Sequence, residues 1–265
     1  MLVLLRDLIQ ILLVNLIIIA LAATMLWAVS VRLRDASIAD IFWGMGFVLL
    51  AWTSWAVADV TAARVELLLA LVTIWGIRLS IHLWWRKRGE AEDRRYAAMR
   101  KRNGPGFWWS NLFSVFLLQA ALLWFVALPV QLAAWHDDLA SLSWLDGLGA
   151  ALWLVGFYFE AVGDWQLTRF KSNPANSDRV MDEGLWRYTR HPNYFGDFCV
   201  WWGVYLIAAA GGAQATIASP ALMSLLLLRV SGVTLLENSI TDRRPDYAEY
   251  QRRVNAFFPG APRRN

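Results

Sequence analysis

The segment Gly184-Leu-Trp-Arg-Tyr-Thr-Arg-His-Pro-Asn-Tyr-Phe-Gly-Asp197 is polar, aromatic and basic, and it runs directly into an apolar helix. Its cations and hydrogen-bonding groups include Arg190, His191 and Asn193. The lipid core tolerates so many polar groups only where they line a protein cavity or face a bound polar ligand. The segment therefore predicts a site for a charged, water-soluble cofactor at the edge of a membrane.

The composition of the chain is typical of a membrane protein. Of the 265 residues, 58% are hydrophobic and 17 are tryptophan, and the mean hydropathy is +0.39. These values lie outside the range of soluble domains. A single cysteine, Cys199, excludes an intrachain disulfide framework, and the three histidines at positions 82, 136 and 191 are too dispersed for a metal site. We expect no metal.

Apolar runs long enough to cross about 30 Å of hydrocarbon mark the membrane spans. Seven such runs are found, at 8–31, 37–58, 64–85, 108–135, 144–166, 194–210 and 213–238. No polar block between them is long enough to fold alone. The sequence therefore predicts an all-α bundle of seven transmembrane helices that forms one integral membrane domain over 1–265.

Lysine and arginine are distributed unevenly among the connections. The connections 86–107 and 167–192 and the C-terminal tail are strongly basic, whereas 136–146 carries only acidic charges and 211–219 carries none. Basic connections face the cytoplasm, so we expect the N-terminus outside and the C-terminus in the cytoplasm. The net charge of +4 orients the protein in its membrane and does not indicate nucleic-acid binding.

Ionisable and polar residues also occur inside these runs. They are Asp40, Arg78, His82, Gln119, Glu160, Asp164, Asp197, Arg229 and Glu237. A buried charge costs at least about 2.5 kcal/mol on insertion scales, so each needs a partner. The residues either pair with one another and with loop arginines to fix the bundle, or line a polar cavity open to the cytoplasm. The size of the set favours the cavity.

Several segments resemble the steroid 5α-reductase superfamily, most closely its bacterial branch of small seven-span proteins. The C-terminal ones are Asp164-Trp-Gln-Leu-Thr-Arg-Phe-Lys-Ser-Asn-Pro-Ala-Asn176, Gly184–Asp197 and Asp246-Tyr-Ala-Glu-Tyr-Gln-Arg-Arg-Val-Asn-Ala-Phe-Phe-Pro259. The N-terminal ones are Asp40-Ile-Phe-Trp-Gly44 and Glu92-Asp-Arg-Arg-Tyr96. The Arg-His-Pro-Asn-Tyr core also resembles sterol C14- and C7-reductases and, more distantly, isoprenylcysteine carboxyl methyltransferase. The bacterial likeness makes the inner membrane the expected location.

The resemblance implies an NADPH-dependent reductase of the activated C=C bond of a steroid-like or other lipid enone. Residues 1–135 would hold the lipid, which enters from the bilayer, and residues 136–265 would hold NADPH. Arginine and lysine suit its phosphates, and the remaining polar groups suit its ribose, adenine and nicotinamide. The expected cofactor residues are Asp164, Arg169, Lys171, Asn173, Arg190, His191, Asn193, Tyr194, Asp197, Glu237, Arg243, Arg244, Tyr247 and Tyr250.

The resemblance also implies a hydrogen-bond donor at the substrate carbonyl. Mammalian relatives use a Glu and a Tyr from spans two and three for this purpose. Asp40 takes the place of the Glu and Trp75 that of the Tyr, and Asp40 would have to be protonated to donate. An indole N–H cannot relay a proton, which leaves the proton donor open, with Tyr96 as a further catalytic candidate. Trp43 and Gln119 are expected to contact the substrate.

Two other functions remain open at the level of sequence. A lipid methyltransferase that uses S-adenosylmethionine shares the Arg-His-Pro-x-Tyr pattern, and a lipid sensor needs no catalysis. The surplus of Lys and Arg favours the more highly phosphorylated cofactor, NADPH.

Overall fold

The computed structural model describes residues 2–135, 141–230, 233, 237 and 246–263, and over these residues the protein is all-helical, without a strand. The α-helices are α1 (Leu2–Leu33), α2 (Ile38–Ala58), α3 (Ala63–Lys87), α4 (Arg94–Asn103), α5 (Phe107–Asn111), α6 (Leu118–Val126), α7 (Leu128–Trp135), α8 (Trp144–Ser172), α9 (Pro192–Ala210), α10 (Ala218–Leu225) and α11 (Tyr247–Arg253). Widened π-turns follow α5 at Leu112–Leu117 and α10 at Leu226–Val230.

Five helical runs among the described residues are long and apolar enough to cross a membrane. They are Leu5–Leu33, Ile38–Ala58, Ala63–Lys87, Arg94–Val126 and Trp144–Ser172. The protein is therefore an integral membrane protein. Helix α9 falls short of this hydropathy because its first turns carry polar residues such as Asn193 and Asp197. The expected run 213–238 is described over 213–230 but is incomplete beyond that residue, so seven spans and the orientation of the termini stay predictions.

Helix α4 lies within the stretch 86–107, which the hydropathy pattern treats as a connection. Five of its ten residues are Arg or Lys, so a search for apolar runs does not reveal it. A cap holds its first turn, since the Asp93 carboxylate accepts the backbone N–H of Arg95 at 2.9 Å. The helical run that begins with α4 reaches from Arg94 to Val126, and α7 then ends at Trp135. The expected span 108–135 therefore starts inside a longer helical run and is divided into two helices.

The helix breaks at Ala127, two residues before Pro129, because proline cannot donate a backbone hydrogen bond. The break frees carbonyl oxygens that lipid cannot satisfy. The Gln131 side chain donates to the Trp124 carbonyl at 2.7 Å, and the Ser219 hydroxyl donates to the Val126 carbonyl. These two side chains allow a helix break inside an apolar environment.

The protein divides into two compact units. Unit 1 comprises Met1–Ser143 and Ala208–Ser219, and unit 2 comprises Trp144–Ile207 and Pro220–Asn265. The assignment of the lipid to 1–135 and of the cofactor to 136–265 stays a prediction.

In unit 1, helices α2 and α3 approach closely at a pair of glycines. A Cβ built on Gly44 would lie 2.4 Å from the carbonyl oxygen of Gly76, so neither position has room for a side chain. The Ser80 hydroxyl accepts the backbone N–H of Met45 at 3.0 Å across the same contact. Small residues at such crossings are typical of membrane helices, since they let the backbones pack in van der Waals contact.

In unit 2, glycines spaced seven residues apart line the contact between α8 and α9. On α8 they are Gly149, Gly156 and Gly163, and on α9 they are Gly196 and Gly203. A spacing of seven keeps these positions on one helix face. A Cβ on Gly156 would lie 2.5 Å from the carbonyl oxygen of Gly196, and one on Gly203 would lie 2.6 Å from that of Gly149.

We expect Gly156→Ala to destabilise the protein by about 1–3 kcal/mol, because the new methyl group overpacks the contact between α8 and α9. Thermal unfolding in detergent measures the change. Gly147→Ala is the matched control on the same helix, since a Cβ there meets nothing within 4 Å. It should leave the melting temperature unchanged or raise it. Equal melting temperatures for the two variants would contradict the close contact.

Candidate functional site

The two N-terminal motif segments meet at the carboxylate of Asp40. The Tyr96 hydroxyl donates to Oδ1 of Asp40 at 2.7 Å, and the Gln119 amide donates to the same oxygen at 3.3 Å. The Arg95 guanidinium binds Oδ2 at 2.7 Å. We call these four residues the Asp40 cluster. Asp40 accepts every one of these contacts, which is the behaviour of an ionised carboxylate.

The Asp40 cluster depends on how α4 is attached to the connection between α1 and α2. The Asp93 backbone N–H donates to the Ser37 hydroxyl at 2.8 Å. One oxygen of Glu92 accepts the backbone N–H of Ala36 at 2.9 Å and the Arg100 guanidinium at 2.7 Å. The segment Glu92–Tyr96 thus attaches α4 with its first two residues and reaches Asp40 with its last two.

Asp93 lies between the membrane-spanning segments and stays ionised despite partial burial. Burial raises its pKa, but the hydrogen bonds and the charge of Arg95 outweigh this effect and hold the pKa below its ordinary value. A carboxylate with a lowered folded-state pKa adds stability above its ordinary pKa of about 4, and this stability is lost as the pH falls further. The cap that this carboxylate forms at the first turn of α4 is therefore present at neutral pH.

The two tryptophans among the expected site residues both pack against Phe47. The Trp75 side chain is fully buried, with its ring 5.6 Å from the ring of Phe47. The Trp43 ring packs edge to face against the Phe47 ring, with the ring centres 5.4 Å apart. Asp40 instead receives its described hydrogen bonds from α4 and α6. Of the three catalytic candidates, the structure thus brings Asp40 and Tyr96 together.

In unit 2, Arg190 and Glu237 form a bidentate salt bridge. Nε and Nη2 of Arg190 lie 2.7 and 3.0 Å from the two carboxylate oxygens. A ring nitrogen of His191 lies 3.1 Å from Glu237, and the Gln251 amide donates to the same carboxylate at 3.1 Å. Arg190 is 8% exposed and His191 4% exposed, so the pair is largely removed from solvent.

Arg190 also holds the C-terminal tail. Its Nη1 donates to the carbonyl oxygens of Gln251 and Val254, and its backbone N–H donates to that of Asn255 at 2.9 Å. The guanidinium that we expected to bind a phosphate is thus engaged by protein groups. The geometry gives Arg190 a positioning role, and its contact with the cofactor stays a prediction.

The start of α9 is attached to α8 by a second set of polar contacts. The Asn193 amide donates to the buried Asp164 carboxylate at 3.1 Å. The Trp186 indole donates to the Gly163 carbonyl at 3.0 Å. The ring of Tyr194 stacks on that of His191 with centroids 5.5 Å apart. Six of the fourteen residues expected at the cofactor therefore occur within one connected region of unit 2.

The two tail tyrosines belong to the packing of this region. Tyr247 and Tyr250 are buried with Val254, and Val180 packs against them. Burial raises the pKa of both hydroxyl groups, so they remain protonated at neutral pH. The Tyr250 hydroxyl donates to the Trp186 carbonyl.

A polar cavity of about 530 Å³ lies beside the C-terminal end of α8. Arg169, Asn173 and Asn176 line it together with Trp165, and the Arg169 guanidinium lies 5.6 Å from the centre of the Trp165 ring. Cavities of this size hold small ligands. The expected cation Lys171 is exposed near the same helix end, whereas Arg243 and Arg244 lie outside the described residues.

Sequence reasoning missed Gln166, which lines this cavity. Its side-chain oxygen accepts the backbone N–H of Leu185 at 3.0 Å. Gly184 precedes that residue with φ of +60°, and a Cβ there would lie 2.3 Å from the Gln166 amide. Glycine adopts such a backbone without strain. Gly184, the first residue of the polar segment, was the feature of the sequence from which this contact could have been predicted.

Comparison with known proteins identifies a family. Residues 26–254 match the model of the family described as Protein of unknown function (DUF1295). The chain is also 25% identical over 280 aligned positions to the Schizosaccharomyces pombe protein named Uncharacterized protein C594.04c, with 88% of this chain and 75% of that protein covered. No solved structure matches the chain.

We expect Glu237→Gln to destabilise unit 2 by about 3–5 kcal/mol, because it leaves the buried charge of Arg190 without a counter-charge. Thermal unfolding reports the loss, and limited trypsin digestion reports release of the tail around Arg252 and Arg253. Glu249→Gln is the matched control, since its ion pair with Arg253 is exposed. If both variants melt and digest alike, the ion pair does not hold the tail.

Proposed function

We propose that the protein is a membrane-embedded NADPH-dependent reductase. The premise is that the chain belongs to the DUF1295 family, which is grouped with steroid 5α-reductase-like families. Its substrate is a lipid enone whose activated C=C bond is reduced, as in a 3-oxo-Δ4-steroid. The Asp40 cluster is the observation that carries this proposal. It joins the two N-terminal segments that resemble the reductase superfamily into one hydrogen-bonded group.

The reduction needs a hydrogen-bond donor at the substrate carbonyl. When bound, NADPH supplies a hydride to the β-carbon of the enone, and negative charge then develops on the carbonyl oxygen. A preorganised donor at that oxygen stabilises the transition state. The Tyr96 hydroxyl is such a donor, because its group is buried and held at a fixed distance from Asp40. A proton from water at the α-carbon completes the saturated ketone.

In this proposal Asp40 is an ionised carboxylate that positions the Tyr96 hydroxyl. Arg95 and Gln119 remain hydrogen-bonded to Asp40 when the Tyr96 proton turns toward the substrate. The carboxylate therefore stays satisfied without the tyrosine. We propose this division of roles as an alternative to the expectation that a protonated Asp40 donates, and it gives Tyr96 the part that the superfamily pattern gives to Trp75.

The residues of unit 2 fit the chemistry of NADPH. Arg169 offers a charge-assisted donor to a phosphate group, and Trp165 offers a ring face beside it. Asn173 and Asn176 add hydrogen-bonding groups in the same cavity. His191 and Asn193 present donors from the start of α9. Arg243 and Arg244 remain proposed partners of the phosphates.

The membrane arrangement proposed here has seven spans, with the N-terminus outside and the C-terminus in the cytoplasm. The exposed apolar face of α1, with Leu13, Ile17, Leu21 and Met25, supports direct contact with lipid. A lipid substrate would enter the N-terminal half from the bilayer, and the nucleotide would reach the polar residues from the cytoplasm. We propose the bacterial inner membrane as the location.

NADPH should raise the melting temperature of the purified protein more than NADH or S-adenosylmethionine does, because a ligand of the native state stabilises it by mass action. We expect NADPH to bind at least about tenfold more tightly than NADH, or about 1.4 kcal/mol. A thermal-shift titration with all three ligands measures this. Stabilisation by S-adenosylmethionine alone would favour the methyltransferase, and no response to any of them would favour a sensor.

Tyr96→Phe should lower the rate of enone reduction by about 100-fold, the usual effect of removing one such donor. NADPH affinity should not change. Steady-state kinetics with a 3-oxo-Δ4-steroid measures the rate, and thermal shift measures the affinity. Tyr158→Phe, at an exposed position on α8, is the control and should keep the wild-type rate. A Tyr96→Phe protein with normal turnover would show that the donor is elsewhere.

A further inference from the structure

The end of unit 1 that carries α4 is strongly basic. Segments 34–40 and 86–102 contain nine lysine and arginine residues but only five acidic ones. Both segments meet at the connection between α1 and α2. Lys87 at the end of α3 pairs with Asp35 of that connection at 3.3 Å, and the segment before α4 binds the same connection through the Asp93 N–H. The cations of the two segments therefore surround one region of the protein surface.

Three of these cations are neutralised by acidic side chains. Besides the pair of Lys87, Arg100 binds Glu92 at 2.7 Å. Arg95 binds Asp40 at the same distance. The six remaining cations are all exposed, whereas Glu90 is the only exposed acid of the two segments. We call these six residues the basic surface: Arg34, Arg86, Arg88, Arg94, Lys101 and Arg102.

Exposed tryptophans show where the basic surface lies relative to the membrane. Trp84 and Trp85 directly precede Arg86, and both are more than half exposed. Trp109 is 67% exposed, and its ring lies 5.3 Å from that of Trp27 on α1. Indole rings are enriched at membrane–water interfaces, because their apolar body suits the lipid and their N–H suits water. This end of unit 1 is therefore placed at the membrane interface.

The basic surface follows the tryptophans at the depth of the lipid headgroups. Arg88 comes four residues after Trp84, and its guanidinium lies 5.7 Å from the centre of that ring. Arg34 comes seven residues after Trp27, a rise of roughly 10 Å along a helix. The headgroup region extends roughly 5–8 Å beyond the hydrocarbon on each side of a bilayer. Long arginine side chains can bridge the remaining distance.

We propose that the basic surface binds the phosphate groups of anionic phospholipids in the leaflet that borders this end of unit 1. Its charge complements the headgroups, and the adjoining indoles suit the lipid below them. An acidic protein or a nucleic acid would match the charge but would leave these indoles without a role. The inference does not depend on the reductase function.

The bound lipid also contributes to the Asp40 cluster through α4. Three of the six cations, Arg94, Lys101 and Arg102, lie on this helix and are exposed, whereas Tyr96 on the same helix is buried against Asp40. Lipid that binds the exposed cations therefore stabilises the helix that supplies Tyr96.

The lipid that the purified protein retains tests the proposal. After incubation in neutral detergent with equal amounts of dioleoylphosphatidylglycerol and dioleoylphosphatidylcholine, the wild-type protein should retain the anionic lipid with at least about fivefold preference, the effect expected of one surface cation. Lipid extraction and mass spectrometry measure the ratio. The preference should fall steeply in high salt, which screens exposed charges. This salt test needs no variant.

The combined variant Arg86→Gln, Arg94→Gln and Lys101→Gln should reduce the preference to less than about twofold. None of these three side chains forms an ion pair with another described residue, so the melting temperature without added lipid should not change.

The matched control combines Arg187→Gln, Arg252→Gln and Arg263→Gln. It makes the same change in net charge at exposed positions of unit 2 and should keep the preference. Equal retention of both lipids by the wild-type protein, or a preference that high salt does not weaken, would overturn the proposal. So would a preference that survives the first variant, or an equal loss in the control.

Discussion

A polar group placed among apolar membrane helices has to find a partner within the protein, and the described structure follows from that constraint. At the start of α2, Asp40 is surrounded by donors from α4 and α6. In unit 2, Arg190 is held by Glu237 and by carbonyl oxygens of the tail. Some of the residues that satisfy these charges, such as Arg95 and Tyr96, belong to the segments that resemble the reductase superfamily. Under the proposed function, stability and activity would therefore depend on some of the same contacts.

Close helix contacts position these groups. The glycines that line the contact between α8 and α9 let the two backbones approach closely, so that Asn193 at the start of α9 reaches Asp164 on α8. In unit 1, the close approach of Gly44 and Gly76 fixes α2, which carries Asp40, against α3. A rigid backbone lets short side chains hold precise distances, and this is the preorganisation that electrostatic catalysis requires.

The sequence predicts the helical membrane fold and selects Asp40 and Tyr96, which the structure joins by a hydrogen bond, because hydropathy and motifs are local signals. It does not reveal α4, a polar helix stabilised by the Asp93 cap and by attachment to a distant connection. Nor does it show that Arg190 is engaged by Glu237, 47 residues away along the chain.

Transfer of deuterium from NADPH labelled at the nicotinamide C4 position to a 3-oxo-Δ4-steroid tests the central claim most directly. The purified wild-type protein should give a saturated 3-ketosteroid with one deuterium at the former β-carbon, as read by mass spectrometry and NMR. The hydrogen added at the α-carbon should come from water. Absence of any saturated product that depends on NADPH, or a product with deuterium from water at the β-carbon, would contradict hydride transfer to an enone held by Tyr96.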